Sequence, residues 1–151
     1  MSVAIRPLRP DDHAAWLDLW RGYLTFYTAD VPDAVTALTW SRLLDPAEPV
    51  HGAVAASAKG GAPIGFVHWL THRSTWARTS YAYLEDLFVT PTVRGGGAGR
   101  ALIEHVYAAA EAAGCAQVYW LTHETNTSAR ALYDRIATRT GFLHYAKVLE
   151  G

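Results

Sequence analysis

Hydrophobic and polar positions along the first third of the chain follow two different periods. The opening stretch SVAIRPLRP alternates with a period of two, which predicts a strand from Val3 to Leu8 that ends at Pro10. Apolar residues then recur every three or four positions, which predicts a helix with one apolar face. These apolar positions are Ala15, Trp16, Leu19, Trp20, Tyr23, Leu24 and Tyr27. After the loop TADVPD, Asp33 is predicted to cap a second helix that runs through Val35, Leu38, Leu43 and Leu44 and stops at DPAEP.

The rest of the pattern predicts a hairpin followed by alternating strands and helices. The segments HGAVAAS and PIGFVHWLTH flank the turn AKGGA and predict two paired strands. The stretch TSYAYLEDLFVTP predicts a third long strand, and a helix is predicted from Gly97 to Ala113, ended by Gly114. The segments AQVYWLTH, ETNTSARALYDRIATRTGF and LHYAKVLE then predict a strand, a helix ended by Gly141 and a last strand.

This succession predicts an α/β (α+β) fold with a mixed, mostly antiparallel central sheet and about four flanking helices. The predicted order is β-α-α-β-β-β-α-β-α-β. The stretch from Tyr81 to Leu121 is a candidate βαβ unit with two parallel strands. The chain has 151 residues, half of them hydrophobic, so we expect one domain over residues 1–151 with a sizeable core.

Charge and composition narrow the class of partner. The formal net charge is −1 at pH 7, so no basic surface indicates nucleic-acid binding. No apolar run approaches the roughly 20 residues that span a bilayer, and the first residues do not resemble a signal peptide. The single cysteine, Cys115, excludes an internal disulfide and is expected to be buried. We therefore expect a cytoplasmic protein that binds neither nucleic acid nor membrane.

Glycine is concentrated between the third long strand and the next helix. Four of the five positions from Gly95 to Gly99 are glycine, although glycine loses more backbone freedom on folding than any other residue. The start of a helix exposes backbone N–H groups that lack intrahelical acceptors, and glycine lets a phosphate approach them closely. The loop therefore predicts a phosphate-binding site, with a plain turn as the alternative.

Known nucleotide-binding spacings distinguish the possible ligands. The Rossmann pattern G-x-G-x-x-G fails because its third glycine falls on Arg100 or Leu102, and the Walker pattern fails because Gly-Lys-Ser/Thr is absent. The spacing R-x-x-G-x-G is present at Arg94, Gly97 and Gly99. This motif, its place between strand and helix, and the element order resemble the GCN5-related N-acetyltransferase (GNAT) superfamily over nearly the whole chain.

That resemblance implies an acetyl-CoA-dependent N-acetyltransferase that uses no metal. In the family the glycine loop binds the pyrophosphate, here with Arg94 adding charge, and the strand before the loop binds the pantetheine arm and polarises the thioester. Asn126 is a further candidate contact, although it is equally placed to cap a helix. The implied cofactor-binding residues are Leu87, Phe88, Val89, Arg94, Gly95, Gly96, Gly97, Ala98, Gly99, Arg100, Asn126, Ala129 and Arg130.

Two adjacent acids, Glu85 and Asp86, lie on that strand. An amine must be neutral to attack a thioester, and a lysine-like amine is neutral in only about one part in a thousand near pH 7. A nearby carboxylate can take the proton. The segment YLEDLFV also resembles polyamine (diamine) acetyltransferases, which makes Glu85 the first candidate base and Asp86 the second; a structural ion pair is the alternative. On a regular strand the two side chains point to opposite faces.

The remaining candidates come from the same resemblance. Tyr133 is the implied general acid for the CoA thiolate, with a core aromatic as the alternative. The loop after the first helix usually borders the acceptor, so Tyr27 and Asp30 join Glu85 and Asp86 as candidate substrate-binding residues. These side chains favour a small primary amine, either a polyamine or an amino-acid-like molecule. Two alternatives remain open: a peptide lysine as the substrate, or a regulatory domain that binds CoA and catalyses no reaction.

Two further expectations concern assembly and the histidines. The predicted strand LHYAKVLE is a candidate edge for a homodimer, which is common in the family. The seven histidines show no metal-ligand spacing on a helix. His68 and His72 share one face of a predicted strand and are expected to be structural.

Overall fold

The chain folds in the order that its hydrophobic pattern predicts, as far as the fourth helix. The computed structural model describes residues 3–57, 60–93 and 95–150. The helices and strands of these residues are β1 (Val3–Pro7), α1 (His13–Phe26), α2 (Asp33–Leu44), β2 (Val50–Ser57), β3 (Pro63–Arg73), β4 (Ser80–Val89), α3 (Ala98–Ala112), β5 (Gln117–Tyr119) and α4 (Thr127–Ile136). Within the described ranges, no helix is long and apolar enough to cross a membrane.

The chain divides into two compact units. The first extends to Tyr119 and contains the sheet with α1, α2 and α3; the second begins at Trp120 and contains α4. The predicted mixed α/β fold and its strand order are thereby confirmed through α4. Cys115 is half-buried in the turn before β5, rather than fully buried as expected.

Two elements are shorter than predicted and one is missing. The strand predicted over AQVYWLTH is limited to Gln117–Tyr119, and the helix predicted to run to Gly141 ends at Ile136. The prediction of a last strand in LHYAKVLE is wrong, because residues 137–150 form neither helix nor strand. A strand exists only when its backbone groups pair with a neighbour. Alternating apolar residues therefore were not sufficient here.

The sheet has the order β1-β2-β3-β4-β5. The first four strands are antiparallel neighbours, including the predicted hairpin of β2 and β3. Strand β5 runs parallel to β4, with Tyr81 beside Gln117 and Tyr83 beside Tyr119. Because α3 joins these two strands, the predicted βαβ unit is confirmed. Gly114 has φ +77° just after α3, as expected for the end of that helix.

Each face of the sheet carries its own buried layer. Helix α1 packs on one face through Trp16 and Trp20, which lie in a cluster with Phe66 of β3 and Phe88 of β4. The alternate residues point to the opposite face, where Trp69 of β3 contacts the ring of His105 in α3. The most buried residues of α3 are Leu102, Ile103 and Val106. This packing fixes β4 on both faces, so the end of β4 is a rigid place for a site.

Candidate active site

The glycine loop forms a left-handed entry into α3. Gly95 and Gly97 have φ values of +89° and +86°, a region that residues with a side chain rarely adopt. A Cβ built on either glycine meets no atom within 4 Å, so the space in front of the loop is open. Gly96 and Gly99 have no such φ. Only two of the four glycines are therefore required by the backbone of the loop itself.

The first N–H groups of α3 point out of this loop. The first helical hydrogen bond runs from the N–H of Ala101 to the carbonyl oxygen of Gly97, at 3.0 Å. The N–H groups of Ala98, Gly99 and Arg100 precede it and have no acceptor within the helix. The side chain of Arg100 has a partner of its own, because its guanidinium donates to the carboxylate of Glu104 at 2.7 Å. Backbone N–H donors in an open glycine loop fit a pyrophosphate. Arg94, the predicted additional charge, lies outside the described residues.

Strand β4 loses its second neighbour just where the candidate site begins. It pairs with β3 as far as Val89, but its pairing with β5 extends only from Tyr81 to Tyr83. From Leu84 onward, one edge of β4 is therefore not paired with β5. Leu87, Phe88 and Val89 lie on this stretch, where their backbone can pair with an extended ligand. This is the geometry expected of a strand that holds the pantetheine arm.

The register of β3 and β4 shifts beside the two acids. His68 pairs with Asp86, and the next pair along the strands is Trp69 with Leu84, so Glu85 is an extra residue on β4. Such a bulge interrupts the alternation of side chains. The regular alternation on which the prediction of opposite faces for Glu85 and Asp86 rests is therefore absent at this point of the strand. Burial, Asp86 and then Glu85 all raise the pKa of the Tyr23 hydroxyl, so both carboxylates act on one phenol.

Asp86 is held by two hydrogen bonds. The hydroxyl of Tyr23 donates to Oδ1 at 2.7 Å, and Nδ1 of His68 lies 2.9 Å from Oδ2. The side chain of Asp86 is 14% exposed and that of His68 only 4%. Behind this pair, Nε1 of Trp16 donates to Nε2 of His68 at 3.0 Å. The second candidate acid is thus the end of a buried chain of polar groups.

Glu85 differs from Asp86 in its surroundings. Its side chain reaches solvent, yet the neighbouring protein desolvates the carboxyl group. Burial is the main cause that raises the pKa of Glu85, and the negative charge of Asp86 is the second. A carboxylate with a raised pKa accepts a proton more readily near neutral pH. The two acids therefore differ: Asp86 is held by two hydrogen bonds, whereas Glu85 is a partly desolvated carboxyl group with a raised pKa.

Tyrosine rings border the two acids. The ring of Tyr27 meets that of Tyr23 edge-on, with centroids 5.0 Å apart. On the other side, Tyr83 stacks on Tyr119 at 5.0 Å, and its pKa is raised by burial and then by the two acids. Tyr27 therefore contacts Tyr23, the phenol that donates to Asp86, whereas Asp30 is an exposed residue of the following loop.

Three residues of this site were missed in the sequence. Trp16 and Tyr23 were assigned only to the apolar face of α1, and His68 was expected to be structural. The signal available was a histidine within the apolar run GFVHWL, since a buried polar side chain must find a hydrogen-bond partner. Its partners lie 18 and 52 positions away along the chain. No local pattern identifies them.

The second unit carries the remaining candidates on or beside α4. Asn126 occupies the residue before the helix, but its side chain donates to Thr122 at 3.2 Å and does not cap the helix. Arg130 donates to the carbonyl oxygen of Glu124 at 2.6 Å. The ring of Tyr133 meets that of Trp120 edge-on at 5.3 Å. Ala129 is half-buried one helical turn after Asn126.

Comparison with known proteins agrees with this architecture. The chain is 36% identical over 145 residues to the D-amino-acid N-acetyltransferase HPA3 of Saccharomyces cerevisiae, covering 96% of this chain and 90% of the relative. A ribosomal-protein-alanine N-acetyltransferase from Brucella melitensis biovar Abortus 2308 shares its fold, with a TM-score of 0.77, 21% identity and coverage of 98% of this chain and 100% of the neighbour.

A second solved structure is the aminoglycoside acetyltransferase meta-AAC0020 from an uncultured soil metagenomic sample. Its TM-score is 0.79 at 18% identity, with 98% of this chain and 97% of the neighbour covered. At these identities the two structures establish the fold alone. The family described as Acetyltransferase (GNAT) matches residues 14–137, which is most of the chain. The protein therefore belongs to the GNAT acetyltransferase family, in which acetyl-CoA is the acyl donor, and is an N-acetyltransferase.

Proposed function

We propose that the protein acetylates the primary amine of a small amino-acid-like molecule, with D-amino acids as the first class to test. The observation that carries this proposal is the unlike pair of acids at the bulge of β4. Asp86 is a fixed anion that attracts an ammonium group, and Glu85 is placed to take its proton. The activity named for the yeast relative at 36% identity supports an amino acid as acceptor.

The proposed chemistry is a direct transfer. Glu85 removes a proton from the ammonium, directly or through a water molecule, and the neutral amine attacks the thioester carbonyl carbon. Backbone N–H groups near Leu87 and Val89 stabilise the negative charge that develops on the carbonyl oxygen. A C–N bond forms as the C–S bond breaks. Tyr133 donates its proton to the departing sulfur, and its phenolate takes the second proton of the attacking nitrogen, directly or through water, so that a neutral amide and the CoA thiol form. The proton held by Glu85 then leaves to solvent.

In this proposal the acyl donor, acetyl-CoA, is held mainly by hydrogen bonds from backbone N–H groups. The N–H groups from Gly95 to Arg100 bind the pyrophosphate, and Arg94 adds a positive charge. In the second unit, Asn126, Ala129 and Arg130 are the proposed further contacts. The family match over residues 14–137 runs across both units, which supports one catalytic domain.

The tyrosine border favours an acceptor with one ammonium and an apolar side chain. Tyr23, Tyr27 and Tyr83 offer ring surface beside a single fixed carboxylate. A cation can interact with both the ring faces and the carboxylate. A polyamine needs a second anion further along the site, and Asp30 is the proposed candidate for that weaker interaction. We therefore rank apolar and aromatic amino acids above polyamines.

A panel of acceptors tests this proposal. Thiol release from acetyl-CoA is followed with a chromogenic disulfide against D- and L-amino acids, polyamines, aminoglycosides and lysine peptides. We expect the highest kcat/KM with D-amino acids that carry apolar side chains. Glu85→Gln is the matched variant, because it keeps the size of the side chain and removes the base. Release with lysine peptides alone would replace the proposed substrate class.

A homodimer is a further part of the proposal. The segment 143–149 is rich in large apolar side chains that the chain leaves exposed. They include Leu143 at 77%, Val148 at 94% and Leu149 at 77%. Exposed apolar surface of this kind favours association. A second copy of the chain is the proposed partner.

A further inference from the structure

His68 is a buried titratable side chain to which the proposed chemistry gives no part. It is 3% exposed and lies on β3, paired in register with Asp86 of β4. A buried histidine in an apolar layer is costly unless its ring nitrogens are hydrogen-bonded. Both are bonded here, one to Trp16 and one to Asp86.

These two bonds fix the protonation state of His68. The indole N–H of Trp16 is only a donor, so Nε2 of His68 must carry a lone pair to accept it. The ring proton is then on Nδ1, which donates to Oδ2 of Asp86 at 2.9 Å. A proton on Nε2 would set two N–H groups against each other across 3.0 Å. His68 is therefore the neutral Nδ1–H tautomer.

A neutral His68 leaves the charge of Asp86 intact. The carboxylate receives one hydrogen bond from His68 and one from Tyr23, and both stabilise its anion. A protonated imidazole in the same position would cancel the negative charge. Trp16 prevents this by occupying Nε2. The chain from Trp16 through His68 thus keeps a full negative charge at a fixed place beside Glu85.

We propose that Trp16 and His68 are positioning residues that act through Asp86, holding a permanent anion next to Glu85 and so tuning Glu85 as the base of acetyl transfer. This inference rests on the proposed role of Glu85. Neither Trp16 nor His68 touches the amine in this account. Their effect reaches the reaction only through the charge and the orientation of Asp86.

The groups around Glu85 agree with this role. Tyr23 of α1, His68 of β3, and Tyr83 and Asp86 of β4 all face it. Burial and then the negative charge of Asp86 raise the pKa of Glu85, whereas a positive charge on His68 would lower it, so a neutral His68 leaves the pKa of Glu85 raised. A base with a raised pKa matches the proton affinity of an amine more closely.

NMR tests the tautomer and the titration without any turnover. The ¹⁵N shifts of His68 should report the neutral Nδ1–H form throughout pH 5.5–8, and the ¹³C shift of the Glu85 carboxyl reports its titration. Asp86→Asn is nearly isosteric and keeps a hydrogen-bonding group toward Tyr23 and His68. We expect it to lower the midpoint of the Glu85 titration, because it removes the negative charge that helps to raise the pKa of Glu85. The acidic limb of the kcat/KM profile should move in the same direction.

Trp16→Phe tests the Trp16 end of the hydrogen-bonded chain that runs through His68 to Asp86. This variant frees Nε2 of His68, so the imidazole can take a second proton there and offset the charge of Asp86. We expect the Glu85 midpoint to fall here as well. Trp20→Phe is the matched control, because the ring of Trp20 contacts Trp16, Tyr23 and His68 while its indole N–H donates to Thr36 and to no member of the hydrogen-bonded chain. It should leave the midpoint unchanged.

Three results would overturn the inference: an imidazolium signal from His68 between pH 5.5 and 8 in the unmodified protein, an unchanged Glu85 midpoint in Asp86→Asn, or equal shifts in the two tryptophan variants. If Trp16→Phe fails to fold, Asp86→Asn and the ¹⁵N measurement still decide. A shifted midpoint in a protein that acetylates no amine would refute the proposed function and leave the charge arrangement standing.

Discussion

Two glycines at opposite ends of α3 offer a sharp test of the donor site. Gly97 precedes the helix with φ +86° and Gly114 follows it with φ +77°. A Cβ on either meets nothing within 4 Å. Gly97→Ala and Gly114→Ala therefore impose the same kind of backbone strain on the same helix. Only Gly97 lies in the loop that we propose to bind the pyrophosphate.

The expected magnitudes separate strain from binding. An alanine in the left-handed region costs about 1–2 kcal/mol, so both variants should lose a similar free energy of unfolding. A backbone strained at Gly97 relaxes by turning its N–H groups, and each lost hydrogen bond to a charged group is worth about 1.5–3 kcal/mol. One such bond corresponds to a roughly 10- to 100-fold weaker Kd for acetyl-CoA. Gly114→Ala should bind acetyl-CoA normally.

Calorimetric titration with acetyl-CoA measures the Kd, and urea unfolding measures stability. The reasoning predicts equal destabilisation of the two variants, with the loss of affinity confined to Gly97→Ala. Equal affinities in both variants and the unmodified protein would refute the pyrophosphate assignment of the loop. Equal loss in both would indicate that the whole helix, and not the loop, governs binding.

Three other predictions concern other parts of the chain. Tyr133→Phe should lower kcat by about 10²- to 10⁴-fold with little change in acetyl-CoA affinity, and equal loss in both would remove the general-acid role. Arg6 donates to Asp12 at 2.7 and 2.8 Å and lowers its pKa. The stability from this pair is thus present above the unfolded pKa near 4 and is lost as pH falls through the lower folded value. Arg6→Ala should cost about 3 kcal/mol at pH 7 and flatten acid unfolding below about pH 4; an unchanged acid profile would contradict the linkage. Sedimentation should find a dimer that weakens when apolar residues of 143–149 become serine, whereas a monomer at high concentration would contradict it.

The sequence predicts those parts of the fold that depend on local periodicity. Six of the seven apolar residues at regular spacing lie in helix α1, and β4 has apolar residues on both sides of its two acids, so their places are recovered closely. The segment LHYAKVLE has the same kind of alternation but forms no strand, because pairing depends on a neighbour that the pattern does not specify. Periodicity thus predicts what a segment favours, and tertiary contacts decide the outcome.

The site could be predicted only in its linear motifs. Glu85, Asp86 and the glycine loop are adjacent in sequence and were found there. The bulge that brings both acids to one phenol is a backbone register shift of one residue, for which YLEDLFV carries no local sign. The bond from Tyr23 to Asp86 spans 63 positions, and that from Trp16 to His68 spans 52. The residue types alone do not indicate that these distant side chains form hydrogen bonds with each other.

Product analysis with paired enantiomers of one apolar amino acid tests whether the protein acetylates the amine of an amino acid and prefers the D-form. The protein is incubated with acetyl-CoA and each enantiomer, and CoA thiol and N-acetyl amino acid are both quantified. We expect one acetylated amine for each thiol released, and a higher rate with the D-enantiomer. Thiol release without an acetylated amine, or no release with any amine although acetyl-CoA raises the melting temperature, would contradict the proposed function.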